Sequence, residues 1–389
     1  MLKRIRLKDF KSFVDEEVEI APLTLLVGAN ASGKSNFLDA IRFLKGISFD
    51  LPLGDVLNGE TKARPDAWPG IRGRADETAR YDTTGFLLES SWSLRAPGSP
   101  PTDEKRLDAQ HYIACRVSPS LGLEHESLIV AGSDVLGNRR LDAAVRNGGA
   151  RSVIGDYDQQ RSLEPTSRDA VRRLGDVLRA TQFPQISPAE MRGFGRRDAP
   201  LGPEGKNVSG VLATICDDEA EKQSLVGWLN ELSASEIEDV EFREFLDLGD
   251  VMAIFMEKGG KRISARSISD GTLHFLGTLL TLRTAEPGSL ILIEDIEAGL
   301  HPTRIRLLVE YLEAITRERK IQIIVTTHSP VVLQWLSDES LRNAIVFGRI
   351  PDHEGTVMRR LGDLPYFNEV VERTGIDEMF TTGWLEMAL

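Results

Sequence analysis

The segment Gly28-Ala29-Asn30-Ala31-Ser32-Gly33-Lys34-Ser35 has the residue types and spacing of a loop that cradles a polyphosphate. A triphosphate is held by backbone N–H groups that point inward, and glycines let the chain wrap around it with no Cβ in the way. The helix that follows offers the positive end of its dipole to the same anion. In such a loop Lys34 neutralises the β- and γ-phosphates and the Ser35 hydroxyl holds Mg²⁺.

Three further groups follow in chain order. Ser267-Ile268-Ser269-Asp270-Gly271-Thr272 is a small polar turn opening a helix, and by itself it reads as a second anion-binding helix start or as a plain N-cap. Leu290-Ile291-Leu292-Ile293-Glu294-Asp295 ends an apolar strand in two carboxylates. Such a pair can bind Mg²⁺ through water and polarise an attacking water, or can simply close the strand. Thr326-Thr327-His328-Ser329-Pro330 ends the next apolar strand with a histidine suited to a γ-phosphate contact or to a structural one. Taken in this order, the four groups form a set that chance rarely assembles.

The elements that must hold these groups are legible from periodicity. Ile5 and Leu7, then Val18 and Ile20, alternate with charged neighbours as half-buried strands do. Leu23-Thr24-Leu25-Leu26-Val27 is apolar almost throughout, as expected of a strand buried on both faces. Phe37, Leu38, Ile41 and Leu44 recur at helical spacing behind the loop. Residues 50–80, rich in Gly, Pro and Asp, read as a surface excursion. From about 80 to 157, short runs at Gly85–Leu88, His111–Ala114 and Ser127–Val130 predict an antiparallel β-lobe, with a turn at Pro97–Pro101. A helical stretch follows, roughly 165–234 and interrupted at 193–205. In it Val171, Leu174 and Leu178 share one face, and Leu225, Trp228, Leu229 and Leu232 another. The runs at 290–293 and 321–325, with a helix over 303–318 between them, fit central parallel strands.

Composition narrows the class. A chain of 389 residues suggests two or three units, and 41% hydrophobic residues supply a core. The formal charge of -13 argues against a protein coated in nucleic acid, although it leaves room for a local basic face. Cys115 and Cys216 stand alone, with no zinc spacing, which fits a reducing compartment. No window approaches the roughly 20 apolar residues of a membrane span, and the start has no secretory pattern. The expectation is a cytoplasmic protein with no membrane partner.

These motifs resemble the SMC-like or RecF-like branch of the ABC ATPases, among short ATPases related to the OLD family. Leu7-Lys8-Asp9-Phe10-Lys11-Ser12-Phe13 is similar to the branch's NFKSF opening, and Gly28 to Asn36 to its GxNxSGKSN loop. Ser267–Thr272 resembles its SDGT signature, residues 294–302 its EEPExGLHP Walker B and D-loop, and Thr326–Pro330 its TTHSP switch. The resemblance covers about 1–50 and 260–335; between them the match is loose, mainly at Gly205-Lys206-Asn207-Val208. It implies an α/β, ABC-type P-loop head with a mixed or parallel sheet core, an antiparallel β-lobe and a helical insertion. The implied organisation is an N-terminal lobe at 1–160, the insertion at 161–234 and a C-terminal lobe at 235–389. It also implies a head-to-head homodimer holding two ATP molecules, each between one copy's P-loop and the other's Ser269 and Gly271. Carried over by position, Lys11, Ser12, Gly28, Asn30, Ser32, Gly33, Lys34, Ser35 and Asn36 contact the nucleotide, Ser35 and Glu294 hold Mg²⁺, Asp295 is the base and His328 the switch. The Glu294-Asp295 order reverses the usual Asp-Glu, so Glu297 can share the base role and slow hydrolysis is expected. Gln110 is a candidate Q-loop residue by position.

Three jobs fit such an ATPase: a genome-maintenance or defence switch, a transporter subunit, or a nuclease with an ATPase head. The 241 residues from Gly28 to Ser269 disfavour a compact transporter lobe. About sixty residues after His328 are too few for a Toprim nuclease domain, so an effector nuclease is expected on a separate chain. Residues 139–197 hold twelve Arg and no Lys against seven Asp plus Glu, which fits a DNA-tracking surface or an ordinary ion-paired one. The reading leans to anti-phage defence, with RecF-type repair as the alternative.

Overall fold

A computed structural model describes all residues except 62–66, 97–105, 138–148, 198, 233–236, 246–248, 299, 301 and 351–352. The Pro97–Pro101 turn lies outside the described residues. The chain forms two compact units. One comprises Met1–Thr181, Gly288–Leu290 and Glu339–Leu389; the other comprises Gln182–Pro287 and Ile291–Asp338.

The first unit opens with β1 (Leu2–Phe10), β2 (Phe13–Glu19) and β3 (Leu23–Val27), followed by α1 (Lys34–Gly46) and α2 (Leu53–Asn58). Then come β4 (Gly85–Arg95), β5 (Arg106–Arg116), β6 (Gly122–Val130), β7 (Ser133–Asp134), α3 (Tyr157–Arg161) and α4 (Pro165–Arg179). Alternation puts Ile5 and Leu7 of β1 inside. Leu2, across a register shift against β4 between Leu2 and Arg4, and Phe10, after Asp9 at φ +52°, are buried as well, and all five residues of β3 are buried. The expected β-lobe is a six-stranded sheet in the order β2-β1-β4-β5-β6-β7, antiparallel throughout. Gln110 lies within β5 opposite Ser91 and Ile129, so its position is a ladder position and not a loop. Val171, Leu174 and Leu178 form the buried face of α4, as their spacing requires.

Residues 50–80 are more than a surface excursion. Val56, Leu57 and Ile71 are buried, and a Cβ on Gly46 at the end of α1 would lie 2.7 Å from Val56 and 2.9 Å from Trp68. The apolar residues here are too sparse among Gly, Pro and Asp to show a period, yet together they close over the far end of the loop helix.

The second unit holds β8 (Gly195–Arg196), α5 (Val208–Ile215), α6 (Glu219–Leu232), β9 (Ile237–Phe245), β10 (Asp250–Glu257), β11 (Lys261–Ser264) and α7 (Asp270–Thr284). Strand β10 pairs antiparallel with β8, β9 and β11. Next come β12 (Leu290–Ile293), whose first residue belongs to the first unit, α8 (Pro302–Arg319), β13 (Gln322–Thr326), the sheet neighbour of β12, and α9 (Pro330–Gln334). Both strands are wholly buried and α7 is buried along nearly its whole length, the mark of central elements. Leu225 and Leu229 of α6 are buried and Trp228 packs edge-on against Tyr311 of α8, with ring centroids 4.8 Å apart.

After α10 (Asp338–Arg342), the chain returns to the first unit as β14 (Ile345–Gly348), β15 (Val357–Arg360), α11 (Phe367–Thr374), α12 (Ile376–Thr381) and α13 (Trp384–Met387). Strand β14 pairs parallel with β3 and antiparallel with β15, which makes this sheet mixed. The compact units therefore divide the chain differently from three consecutive lobes, because its last fifty residues pack with its first. The arginine-rich stretch likewise belongs to both units, changing over at Thr181–Gln182.

Candidate nucleotide-binding and hydrolysis residues

The phosphate loop lies in the first unit between β3 and α1. Pairing of Leu26 and Val27 with Ile345 and Val346 fixes where β3 ends. Gly28 has φ +145°, and a Cβ there would lie 2.3 Å from the Phe347 carbonyl oxygen. Gly33, the N-cap of α1, has φ +112°, and its Cβ would lie 2.5 Å from Thr356 Oγ1. Both positions admit glycine alone. Helix α1 has no side-chain cap hydrogen bond and no acidic residue in its first turn, which suits an anion at its positive end.

Lys34 is buried, and its Nζ donates to the carbonyls of Gly28 at 2.7 Å and Ala29 at 2.9 Å. Asn30 and Ser35 are exposed. Ser32 Oγ is buried with no hydrogen-bond partner among the described residues. An orphaned hydroxyl, two glycines that exclude a Cβ and an uncapped helix start together fit a phosphate group and its Mg²⁺.

Lys11 and Ser12 are engaged within the protein. Lys11 Nζ is 2.6 Å from Asp39 Oδ2 and donates to the Arg72 carbonyl at 2.6 Å. Asn36 Nδ2 donates to Ser12 Oγ at 2.8 Å, and Ser12 Oγ is 2.8 Å from Thr356 Oγ1. Arg72 donates from Nε to Asp39 and from Nη2 to the Ser35 carbonyl at 2.7 Å. Asp39 is 1% exposed and would be costly to bury alone, so the two cations compensate it. No sequence pattern singles out Asp39, Arg72 or Thr356 as part of this site. A carboxylate on the apolar face of α1 was the one available signal.

The second unit carries the other groups. Ser269 caps α7: its Oγ accepts the Thr272 N–H at 3.2 Å and lies 2.7 Å from Thr272 Oγ1. Ser269 and Asp270 are exposed and Gly271 is half-buried, while Arg192 Nη2 donates to Asp270 at 2.5 Å. Glu294 stands exposed at the tip of β12. Asp295, with φ +48°, donates its N–H to Thr326 Oγ1 at 2.9 Å, which ties the tips of β12 and β13 together. His328 lies between two carboxylates. Its Nε2 is 3.5 Å from Asp295 Oδ1, and its backbone N–H donates to Glu297 Oε1 at 2.8 Å. Glu297 Oε2 is buried with no hydrogen-bond partner among the described residues. The structure thus brings Asp295, Glu297 and His328 together. Gly299 and His301 lie outside the described residues.

Residues 1–76 match a model described as "AAA ATPase domain", and residues 134–334 match one described as "AAA domain, putative AbiEii toxin, Type IV TA system". The second match spans more than half of the chain. The chain belongs to this AAA-domain family. It is an ABC-type ATPase head of the SMC/RecF-like branch, related to OLD. Among curated relatives, the DNA replication and repair protein RecF of Synechocystis sp. is 40% identical over 70 residues, 16% of this chain and 18% of its own. The OLD nuclease of Thermus scotoductus is 35% identical over 86 residues, 22% of this chain and 13% of its own. The chain therefore spans less than a fifth of the length of these relatives. Among solved structures, an Smc head bound to the C-terminal winged-helix domain of ScpA covers 93% of this chain and 98% of its own, with TM-score 0.52 at 14% identity. An Smc head with an extended coiled coil, bound to the C-terminal domain of ScpA derived from Pyrococcus furiosus, covers 95% and 98%, with TM-score 0.50 at 14% identity. These two show the fold.

The arginines of the ATPase's 139–197 stretch are mostly committed. Arg151 pairs with Asp50, Arg161 with Asp158, Arg173 with Asp169, Arg179 with Asp176, and Arg197 with Asp217 and Glu244. Arg168 donates to the carbonyls of Gln160, Arg161 and Leu163. Residues 139, 140 and 146 lie outside the described residues. Among the described residues, no helix is long and apolar enough to cross a membrane.

Proposed function

We propose that this ATPase binds Mg²⁺-ATP at Gly28–Ser35, dimerises head-to-head around it, hydrolyses it slowly and thereby switches a separate effector in anti-phage defence. The observation that carries the nucleotide reading is the loop itself, where buried Ser32 Oγ has no partner among the described residues and glycines stand where a side chain would collide. When bound, Mg²⁺ supplies charge neutralisation and polarises the phosphoryl group. Lys34 would exchange the carbonyls of Gly28 and Ala29 for phosphate oxygens, with the Ser35 hydroxyl and Glu294 holding the metal. Asp295 is the general base, and Glu297 supports it by fixing the His328 backbone through one carboxylate oxygen. The start of α7, with Ser269 exposed and Gly271 half-buried, supports a role for a second copy, because a single chain carries two separate helix starts suited to anions.

The defence reading draws on the toxin system named in the family description and on the OLD resemblance. A RecF-type repair role is favoured by the 70-residue match and would require direct DNA binding. The ion pairing of the 139–197 arginines supports a partner-gated switch over a phosphate-tracking one. The test is to purify the chain and follow its mass with and without ATP, in the wild type and in D295A or E297Q. A wild type and variants that all stay monomeric in ATP sink the dimer. A co-purifying nuclease supports the effector reading, whereas salt-sensitive retention of duplex DNA transfers the role to repair.

A further inference from the structure

The second unit carries an aromatic and cationic surface that the ATPase chemistry does not use. Phe194 and Phe245 are 45% and 36% exposed and meet edge-to-face, with ring centroids 4.8 Å apart. Arg266 lies over the Phe194 ring at 5.0 Å and Arg243 over the Phe245 ring at 5.7 Å. Neither arginine has a carboxylate partner among the described residues, unlike neighbouring Arg262, which pairs with Glu241. Beside them runs a groove of about 770 Å³, whose lining includes Arg243 and Ser267. Arg192 donates both to the Arg266 carbonyl and to Asp270, so the patch is tied to the start of α7.

Exposed aromatic rings topped by arginines with free donors are the usual anchors of a protein interface. The first unit presents a matching surface. Tyr81 is 87% exposed, and Arg80 is shared by two carboxylates, Asp82 and Glu354, which leaves an excess of negative charge. Glu354 is followed by Gly355 and Thr356, which pack on Ser12 beside the phosphate loop. We propose that Phe194, Phe245, Arg243 and Arg266 anchor the signature side of one copy on the Tyr81–Asp82–Glu354 surface of a second copy. This rests on the ATP-dependent dimer proposed above and names the contacts that orient it.

A single-stranded nucleic acid also stacks on exposed rings. Glu241, Glu244 and Glu257 are already matched by Arg262, Arg197 and Lys261, which leaves Arg243 and Arg266 as two cations without a carboxylate among the described residues. Two cations are too short a row to track a phosphate backbone but are matched in number by Asp82 and Glu354 of a second copy. The experiment compares ATP-dependent dimerisation of the full chain in the wild type, F194A/F245A, R266E, and R266E combined with E354R. The wild type dimerises, the first two variants dimerise at least tenfold more weakly while still binding ATP as monomers, and E354R restores the R266E dimer. Should the ring variant fail to fold, the charge-reversal pair decides alone. A wild type that stays monomeric overturns the dimer reading itself. A wild type that dimerises alongside variants that dimerise equally well overturns this surface alone. Loss of oligothymidine binding in variants with normal dimerisation reassigns the face to nucleic acid.

Discussion

Thr356 Oγ1 donates to the Ser32 carbonyl at 3.0 Å, joining the residue that leads into β15 to a phosphate loop 324 residues earlier in the chain. The same hydroxyl is 2.8 Å from Ser12 Oγ, and its side chain closes the space that a Cβ on Gly33 would need. The loop is thus held by a residue from the far end of the chain.

Thr356→Val keeps the shape of this support and removes its hydrogen bond. The buried Ser32 carbonyl then loses its donor, at a cost of about 1–3 kcal/mol. The expected result is a lowered unfolding midpoint and weaker ATP binding, with Thr356→Ser closer to the wild type. Gly33→Ala is expected to abolish ATP binding outright. Titration with a fluorescent nucleotide checks both.

Lys34→Ala removes the ammonium that now holds the carbonyls of Gly28 and Ala29. A charge-assisted hydrogen bond contributes about 1.5–3 kcal/mol, so ATP affinity should fall roughly 10- to 100-fold. Calorimetric titration with ATP and Mg²⁺ measures this directly, and an unchanged affinity would remove Lys34 from the site.

Asp295→Asn should leave ATP binding intact and slow single-turnover hydrolysis by about 100-fold, the scale of a lost general base. Glu297→Gln keeps an oxygen that can accept the His328 N–H and should be milder than Glu297→Ala. Equal losses in the two Glu297 variants would indicate that the carboxylate charge, and not the backbone contact, is what matters there.

Burial lowers the Lys45 ammonium from its ordinary 10.5 to about 8, and Arg42 adds to the effect. Lys45 Nζ donates to the Thr181 carbonyl at 2.5 Å from the last turn of α1. Because the folded value lies below the unfolded one, the charged form costs stability below pH 8. That cost is relieved as pH rises from 8 towards 10.5, when the unfolded chain holds more protons than the folded one. The effect is on the order of 3 kcal/mol at most. The stability of the wild type relative to Lys45→Met should therefore rise between pH 8 and 10 in denaturant titrations. A flat difference contradicts the burial argument.

Glu126 is buried in the first unit. Its carboxylate accepts from Ser152 Oγ at 2.5 Å and from the Val153 N–H at 2.8 Å, with His111 Nε2 at 3.0 Å. Glu126→Ala leaves these groups unpaired in the interior and should destabilise the chain by about 3–5 kcal/mol, seen in the thermal midpoint. Glu126→Gln, which retains an acceptor, should lose less.

How much was legible follows from the range of the interactions. The phosphate loop, α1 behind it, β3 before it and the carboxylate pair after β12 are local patterns. Backbone geometry and hydrophobic period write them into a few adjacent residues, such as Gly28, Gly33 and Lys34. The antiparallel lobe was visible for the same reason. The fitting of residues 50–80 over α1 was not, because Val56, Trp68 and Ile71 are too sparse to show a period. Gln110 looked suitable by position alone and turned out to be a mid-strand residue.

By itself, then, the sequence determined the candidates: a polyphosphate-type loop, a second helix-opening turn, a carboxylate pair and a histidine, in an order that resembles one ATPase branch. Tertiary structure alone decided which groups support them. Asp39 faces Lys11 and Arg72, Thr356 faces Ser32, and Glu297 holds the His328 backbone. It also decided that most of the arginines in 139–197 are paired with carboxylates or carbonyls. Such partners are set by packing between segments tens to hundreds of residues apart, and a buried charge or donor is satisfied by whatever the fold brings within 3 Å. No local spacing encodes that choice.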